Sequence, residues 1–421
     1  MDFRATLDKE VNRFPLGVSE VVTVTTLADS GRGSLREALL KKGPRLVVFE
    51  VGGVIDLRGA PIVIKEPFAF VAGDTAPSPG VTLIRGSLVI QTSNVIVRHL
   101  AIRPGDLRPD GLREWEPDGI TVARGREPVH DVLIENCSAT WAVDENASVS
   151  GPRDVRPSSG PEATARRVTF RNNLIAEALL NSTHSKGAHS MGLLIHDGIR
   201  EVTIDGNLFA HNRERNPRLK GGVEAAITGN VIYNWGSAAI GMGARGNEEI
   251  LEGARAIVRN NVALAGPDTR GKVLVRSVDE GAQVEAASNL ARLPGGASLP
   301  ELDKGLQPLK ESLAWAAPSA AGSISPVATL ERVLRGAGSR PGERDAIDAR
   351  IVNTVISGTG RIIDSQSEVG GYPTRPQTRR TVSVPTGEAA RREWLERMST
   401  ALAKDRDIDL APLLNRLNLP R

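Results

Sequence analysis

Two groups of side chains have the types and spacing to do chemistry. The first is Glu116-Pro117-Asp118-Gly119-Ile120 taken with Trp141-Ala142-Val143-Asp144-Glu145-Asn146. Carboxylates that converge repel one another and lose hydration, which raises their pKa values unless a cation lies between them. Hard oxygen ligands without Cys or His favour Ca2+ over zinc. The second group, Arg213-Glu214-Arg215-Asn216-Pro217-Arg218-Leu219-Lys220-Gly221-Gly222, sets four basic side chains within eight positions, a rigid cationic loop suited to an anionic ligand. Taken singly, each group has a plainer reading. Asp118-Gly119 has the form of a turn, like Asp197-Gly198, and a basic stretch has the form of a solvated charge run. Trp115 and Trp141 flank the acids and are candidates either to stack on sugar faces or to pack against a sheet.

The elements that must position these residues follow from internal similarity. Val168-Thr169-Phe170-Arg171-Asn172-Asn173-Leu174 resembles Val202-Thr203-Ile204-Asp205-Gly206-Asn207-Leu208, and both resemble the segments ending at Asn230, Asn261 and Asn289. Val132 to Cys137 and Val95 to Leu100 share the strand without the final Asn. The units recur every 23 to 37 residues, too short for a crossover helix in each. A coil of several short strands that returns one rung higher satisfies this spacing, because each strand pairs with its copies above and below. The expected fold is therefore all-β, a right-handed parallel β-helix. Stacked Asn side chains at one corner would satisfy turn backbone that the sheets cannot reach.

Composition agrees with such a solenoid. Of 421 residues 40% are hydrophobic and only 3% aromatic, so the core must be built from Val, Ile, Leu and Ala, while 43 Gly and 26 Pro supply turns. The 53 Lys and Arg against 50 Asp and Glu leave a charge of +3, too small for a broad nucleic-acid footprint. The single Cys137 excludes an internal disulfide. No apolar run is long enough to span a membrane. The expected plan is an extension over 1–20, a β-helix over 21–375 with an irregular excursion at 295–342, and a helical tail over 376–421. Ser34 followed by Glu37 predicts a short capping helix over the first coil. Ile351 to Ile356 predicts a strand, and Glu388 to Lys404 a surface helix carrying Trp394, Leu395 and Met398.

The order of motifs resembles the pectate lyase family of β-helix proteins. The likeness rests on Val22 to Gly31 with Gly33-Ser34-Leu35-Arg36-Glu37-Ala38, Val47 to Gly53, Trp141 to Asn146, Arg215-Asn216-Pro217-Arg218, and Gly358 to Gln366 before Val369-Gly370-Gly371. It runs from about Val22 to Tyr372. The resemblance implies cleavage of α-1,4-linked polygalacturonate by β-elimination, with Ca2+ bridging enzyme and substrate carboxylates and an Arg removing the C5 proton. Asp118 and Asp144 fall on the family's metal aspartates, and Glu116 lies at a further acidic position. Arg215 matches the proton-abstracting Arg, and Lys220 lies where a second basic residue meets substrate carboxylate. Arg218, His189 and Trp115 complete the expected substrate contacts.

The sequence departs from the family pattern at Thr140, where some members supply another metal carboxylate. His189 is the conventional alternative base, since its charge switches near neutrality. The expected protein is a secreted monomer acting on an acidic polysaccharide, with neither nucleic-acid nor membrane partner, although an export signal is absent from its first residues. A β-helix glycoside hydrolase would show adjacent aspartates and a Gly-His-Gly stretch, which this sequence lacks. A non-catalytic carbohydrate-binding β-helix would not need Asp118, Asp144, Arg215 and Lys220 together.

Overall fold

The computed structural model describes residues 13–107, 111, 114–123, 127–152, 160–243, 253–278, 281–316, 324–405 and 407–419. Short β-branched strands stack into three sheets of 11, 8 and 10 strands, whose order follows the chain largely in steps of three. Each turn of chain thus gives one strand to each sheet and returns one rung higher, which is the expected parallel β-helix. The repeat register holds in the first sheet. Val95 pairs beside Val132, Val132 beside Val168, Val168 beside Val202, Val202 beside Ala225, Ala225 beside Ala256 and Ala256 beside Val284.

The asparagine stack forms at the corner after this sheet. The Asn173 amide NH2 donates to Asn207 Oδ1 (3.0 Å), Asn207 to Asn230 (3.0 Å), Asn230 to Asn261 (2.9 Å) and Asn261 to Asn289 (3.0 Å). Each Oδ1 also accepts the backbone N–H of the Asn one rung earlier, and Asn173 does the same for Cys137. Asn207 is fully buried, so its partners have no water to fall back on. Asn207→Leu removes the acceptor for both Asn173 N–H groups. It is expected to destabilise the protein by about 2–6 kcal/mol, since each of the two orphaned buried donors costs about 1–3 kcal/mol. Urea denaturation of the variant checks this, and a change below about 0.5 kcal/mol would contradict it.

The apolar residues fall into three clusters. The interior of the coil holds a column of Val, Ile, Leu and Ala running from Val22 to Leu299. Helix α1, Leu35–Leu40, adds Leu35, Ala38 and Leu39 to that column and closes its first end. Ser34 Oγ accepts from Glu37 N (3.1 Å), and Glu37 Oε2 accepts from Gly33 N rather than from Ser34 N. The second cluster lies between the outer face of the third sheet and C-terminal helices, and the third covers the outer face of the first sheet.

C-terminal to the coil the sequence reading needs correction. The excursion at 295–342 is not wholly irregular, because Pro326–Gly336 forms helix α2, capped by Ser325. Ile351 to Ile356 are not a strand. They lie in helix α3, Ala346–Ser357, whose Asp345 side chain accepts from Ile347 N and Asp348 N and whose Gly358 turns left-handed to end it. Arg103, fully buried, fixes this helix to the coil through Asp345 (2.7 Å) and Asp348 (2.8 Å). Helix α4, Glu388–Leu402, and helix α5, Ala411–Arg416, follow, and α4 buries Trp394 and Leu395 as expected. Residues 1–12 of the expected extension lie outside the described residues. Among the described residues no helix is long and apolar enough to cross a membrane.

A buried histidine at the α3 contact makes stability depend on pH. The Asn234 carbonyl accepts from Asp268 N (2.7 Å), which turns its NH2 toward His211 Nδ1 (2.9 Å). His211 is therefore neutral with its proton on Nε2, donated to Thr354 Oγ1 (2.7 Å). Burial lowers its pKa to about 4. The unfolded chain binds this proton below about pH 6.5 and the folded chain only below about 4, so stability falls as pH drops through that window. At about 1.4 kcal/mol per pH unit, His211 alone accounts for about 3 kcal/mol. Wild type is expected to lose that much more than His211→Gln between pH 6.5 and 4 in denaturant titrations. Parallel curves would contradict the assignment.

Candidate active site

Four consecutive rungs of the second sheet hold the candidate residues. Strands Ile120–Val122, Glu145–Val149, Met191–Ile195 and Arg218–Leu219 pair in that order. The chain entering each strand holds Asp118, Asp144, His189 and Arg215 respectively. Rungs lie about 4.8 Å apart, so residues far apart in sequence meet at one end of the sheet. This stacking needs a bare backbone at Gly119, where a Cβ would lie 2.4 Å from the Asn146 carbonyl oxygen. The Asp118-Gly119 pair is thus a close-approach point as well as a turn.

The acids are held in defined orientations. Asp118 Oδ2 accepts from Thr121 Oγ1 (2.7 Å) and Ser148 Oγ (2.8 Å), and its Oδ1 accepts from Glu145 N (3.2 Å). Asp144 Oδ1 lies 2.8 Å from His189 Nε2 and 3.5 Å from His184 Nε2. The two imidazoles stack with centroids 3.7 Å apart. Burial pushes the Asp144 carboxyl up, but the hydrogen bond from His189 and nearby positive charge, Arg215 included, leave its pKa below the ordinary value.

Arg215 is the central base candidate, and its setting is mixed. Its backbone has φ +63°, a left-handed conformation uncommon for a residue other than glycine, and is pinned by Leu193 N–H donating to its carbonyl (2.5 Å). Burial draws its pKa below the ordinary guanidinium value and Arg218 acts in the same sense, while Asp144 and Asp118 oppose them. The guanidinium also contacts the Glu145 carboxylate, a further opposing charge.

Several residues important to this arrangement were missed in the sequence. Glu145 is buried at 5% exposure and groups with Asp118 and Asp144, with ligand oxygens all within 4.8 Å of one another. His184 joins the acids through a loop that packs back over Trp115, where Thr183 Oγ1 donates to the Trp115 carbonyl (2.6 Å). Buried Asn146, Asn212 and Asn216 tie the acidic turn to the Arg215 turn. Asn146 NH2 donates to Asn212 Oδ1 (3.1 Å), and Asn212 NH2 to Asn216 Oδ1 (3.0 Å). Glu145, Asn146 and Asn216 lie inside the quoted groups without an assigned role, whereas His184 and Asn212 lie outside them and carry no signal of their own.

Other expected contacts are placed differently. Trp115 is 5% exposed and its indole N–H donates to the Gly105 carbonyl (2.7 Å), so it packs beneath the site and offers no sugar-stacking face. Trp141 is fully buried, with its indole donating to Glu177. Glu116 belongs to neither metal-capable group among the described residues. Its Oε1 instead accepts from Ser185 N (2.5 Å), and Ser185 holds its pKa below the ordinary value. Lys220 reaches toward Asp197 (3.7 Å), and Arg218 Nε donates to the Gly243 carbonyl (3.3 Å). Thr140 is fully buried, and its hydroxyl has no hydrogen-bond partner among the described residues.

These residues fit a hard divalent cation. Asp118, Asp144 and Glu145 offer oxygen ligands alone, the donor set Ca2+ prefers. His184 and His189 also approach Asp144, but they face it as N–H donors. Lys186 N donates to His184 Nδ1 (3.1 Å), which places the proton on Nε2, and that buried N–H has no hydrogen-bond partner among the described residues. His189 therefore braces the carboxylate, His184 stacks on His189 with its N–H toward the acids, and neither imidazole is posed as a zinc ligand.

Comparison with known proteins fits this geometry. Two solved structures share the parallel β-helix fold. The major allergen from cedar pollen aligns with TM-score 0.51 and 16% identity, covering 73% of this chain and 86% of that one. A Bacillus subtilis pectate lyase mutant aligns with TM-score 0.51 and 13% identity, covering 80% of this chain and 94% of that one. Among curated proteins, the probable pectate lyase C of Aspergillus flavus is 32% identical over 364 residues, covering 84% of this chain and 77% of its own length. That of Aspergillus oryzae is 32% identical over 363 residues, covering 83% and 76%. No family model matches the chain. The chain belongs to the pectate lyase family, and with it to the carbon–oxygen lyases acting on polysaccharides.

Proposed function

We propose that this protein cleaves polygalacturonate, or a related α-1,4-linked polyuronate, by Ca2+-assisted β-elimination with Arg215 as the base. The observation that carries the reading is a half-shielded guanidinium beside the Asp118, Asp144 and Glu145 carboxylates at one end of one sheet. The pectate lyase C relatives support the choice of polymer. Those three acids would hold the ion, and His189 keeps Asp144 turned toward them. When bound, Ca2+ supplies positive charge beside a substrate carboxylate and the enolate-like charge that develops next to it.

Arg215 takes the C5 proton, the C5–H electron pair forms the C4–C5 double bond, and the C4–O bond breaks. The departing oxygen receives a proton from water. Burial and Arg218 favour the neutral guanidine that this step needs, while the cationic loop favours binding of a polyanion over a neutral methyl ester. A polymer of this kind is met outside the cell, which is where the proposal puts the protein. The test is to incubate polygalacturonate with the protein and follow ultraviolet absorbance of unsaturated uronate. Absorbance should rise with Ca2+ and stop on adding EDTA. New reducing ends without absorbance would instead indicate hydrolysis.

A further inference from the structure

Glu145 stands in two relationships at once. It is one of three acids whose ligand oxygens lie within 4.8 Å of each other, and it is also the acid in ion-pair contact with Arg215 among the described residues. Its side chain is 7% exposed, whereas that of Arg215 is 23% exposed. Water therefore competes weakly for the carboxylate, and the protein groups around it decide its partner. The main chain on both sides is fixed. Glu145 N donates to Asp118 Oδ1 (3.2 Å) and its carbonyl accepts from Gly119 N (2.9 Å). On the other side Asn216 N donates to the Ala239 carbonyl (3.1 Å), and a Cβ at Gly192 would strike the Arg215 carbonyl at 2.4 Å. The backbones thus have no room to part, and any exchange of partners falls to the two side chains.

A guanidinium and a divalent cation cannot both sit at full strength on one carboxylate, because they repel each other across it. Building on the proposed function above, we propose that Glu145 is a shared carboxylate for which Arg215 and the cation of the Asp118–Asp144–Glu145 group compete. Cation binding draws Glu145 away from Arg215 and frees the guanidinium to turn to the substrate. Glu145 is then a positioning residue that makes delivery of the base conditional on the metal. Like any coupling of two ligands, the effect is reciprocal, so Arg215 must weaken cation binding through Glu145.

That reciprocity gives a test that needs no turnover. Calcium affinity is measured by calorimetry, without substrate, for wild type, Arg215→Ala, Glu145→Gln and the double variant, with circular dichroism to verify folding. Arg215→Ala should bind Ca2+ about tenfold tighter than wild type and Glu145→Gln about tenfold weaker. In the Glu145→Gln background, Arg215→Ala should bring no further gain. An equal gain in both backgrounds would mean that Arg215 acts only through its field, and would overturn the proposal while leaving the metal site intact. An unchanged affinity in Arg215→Ala would also overturn it. If no variant, wild type included, binds Ca2+, the metal reading itself fails and this inference fails with it.

Discussion

Arg215→Ala is expected to lower the elimination rate on polygalacturonate by about 10²–10⁴-fold, the range usual for losing a group that moves a proton in the transition state. The fold should survive, because the guanidinium contacts a single acid among the described residues and the backbone at this position is held by main-chain bonds. Removing the side chain leaves Glu145 without its cationic partner, but that carboxylate stays beside the group proposed to take Ca2+. Arg215→Lys should not rescue the rate. Lysine keeps the charge but lacks the planar fork and the reach that the contact with Glu145 defines. Initial rates at saturating Ca2+ check this, and an Arg215→Ala variant within about tenfold of wild type would remove Arg215 from the role of base.

The second large effect is expected at Asp144, which belongs to both clusters of the site. It supplies oxygen to the Asp118–Asp144–Glu145 group and accepts from His189 at 2.8 Å. Asp144→Ala should therefore lower Ca2+ affinity more than the roughly 10–100-fold usual for losing a residue that only supports a ligand. Activity should fall by at least a comparable factor at fixed, low Ca2+. The buried His189 Nε2–H loses its acid, so some stability is lost too, about 1–3 kcal/mol for the orphaned donor. Calcium titration of the rate in both proteins measures the first effect and urea denaturation the second. An unchanged calcium dependence would show that the ion, if used, is held elsewhere.

Much of this site was legible because a solenoid converts repetition in sequence into neighbourhood in space. Asn173, Asn207, Asn230, Asn261 and Asn289 recur at one register position, so identical side chains meet rung after rung. Asp118, Asp144 and Arg215 could be placed near one another for the same reason, each lying on the entry to a strand of the same sheet. His184, Asn212 and Asn216 were not legible. They arrive through turns whose paths are set by packing and side-chain hydrogen bonds, which no period encodes. Glu145 was passed over beside Asp144, yet it is Glu145 that contacts Arg215.

Helix α3 shows a different kind of error. Ile351, Val352, Val355 and Ile356 are β-branched, or flank β-branched neighbours, in a run that favours strand by local preference. The spacing Ile347, Ile351, Val352, Val355 and the terminal signals Asp345 and Gly358 favour helix, and the outer face of the third sheet rewards that choice by burying the stripe. Trp115 illustrates the limit of composition near a site. An indole beside acidic residues fits a sugar platform or a buried prop equally well, and the Gly105 carbonyl within 2.7 Å decides for the prop.

The most direct test of the account is the mass spectrum of the products formed from a defined oligogalacturonate with Ca2+ present. Cleavage with the C5 proton passing to Arg215 yields, at every cut, a new non-reducing end that is one water lighter than its hydrolysis counterpart. Fragments of the hydrolysis mass alone, or an intact oligomer after prolonged incubation with folded protein and Ca2+, would contradict it.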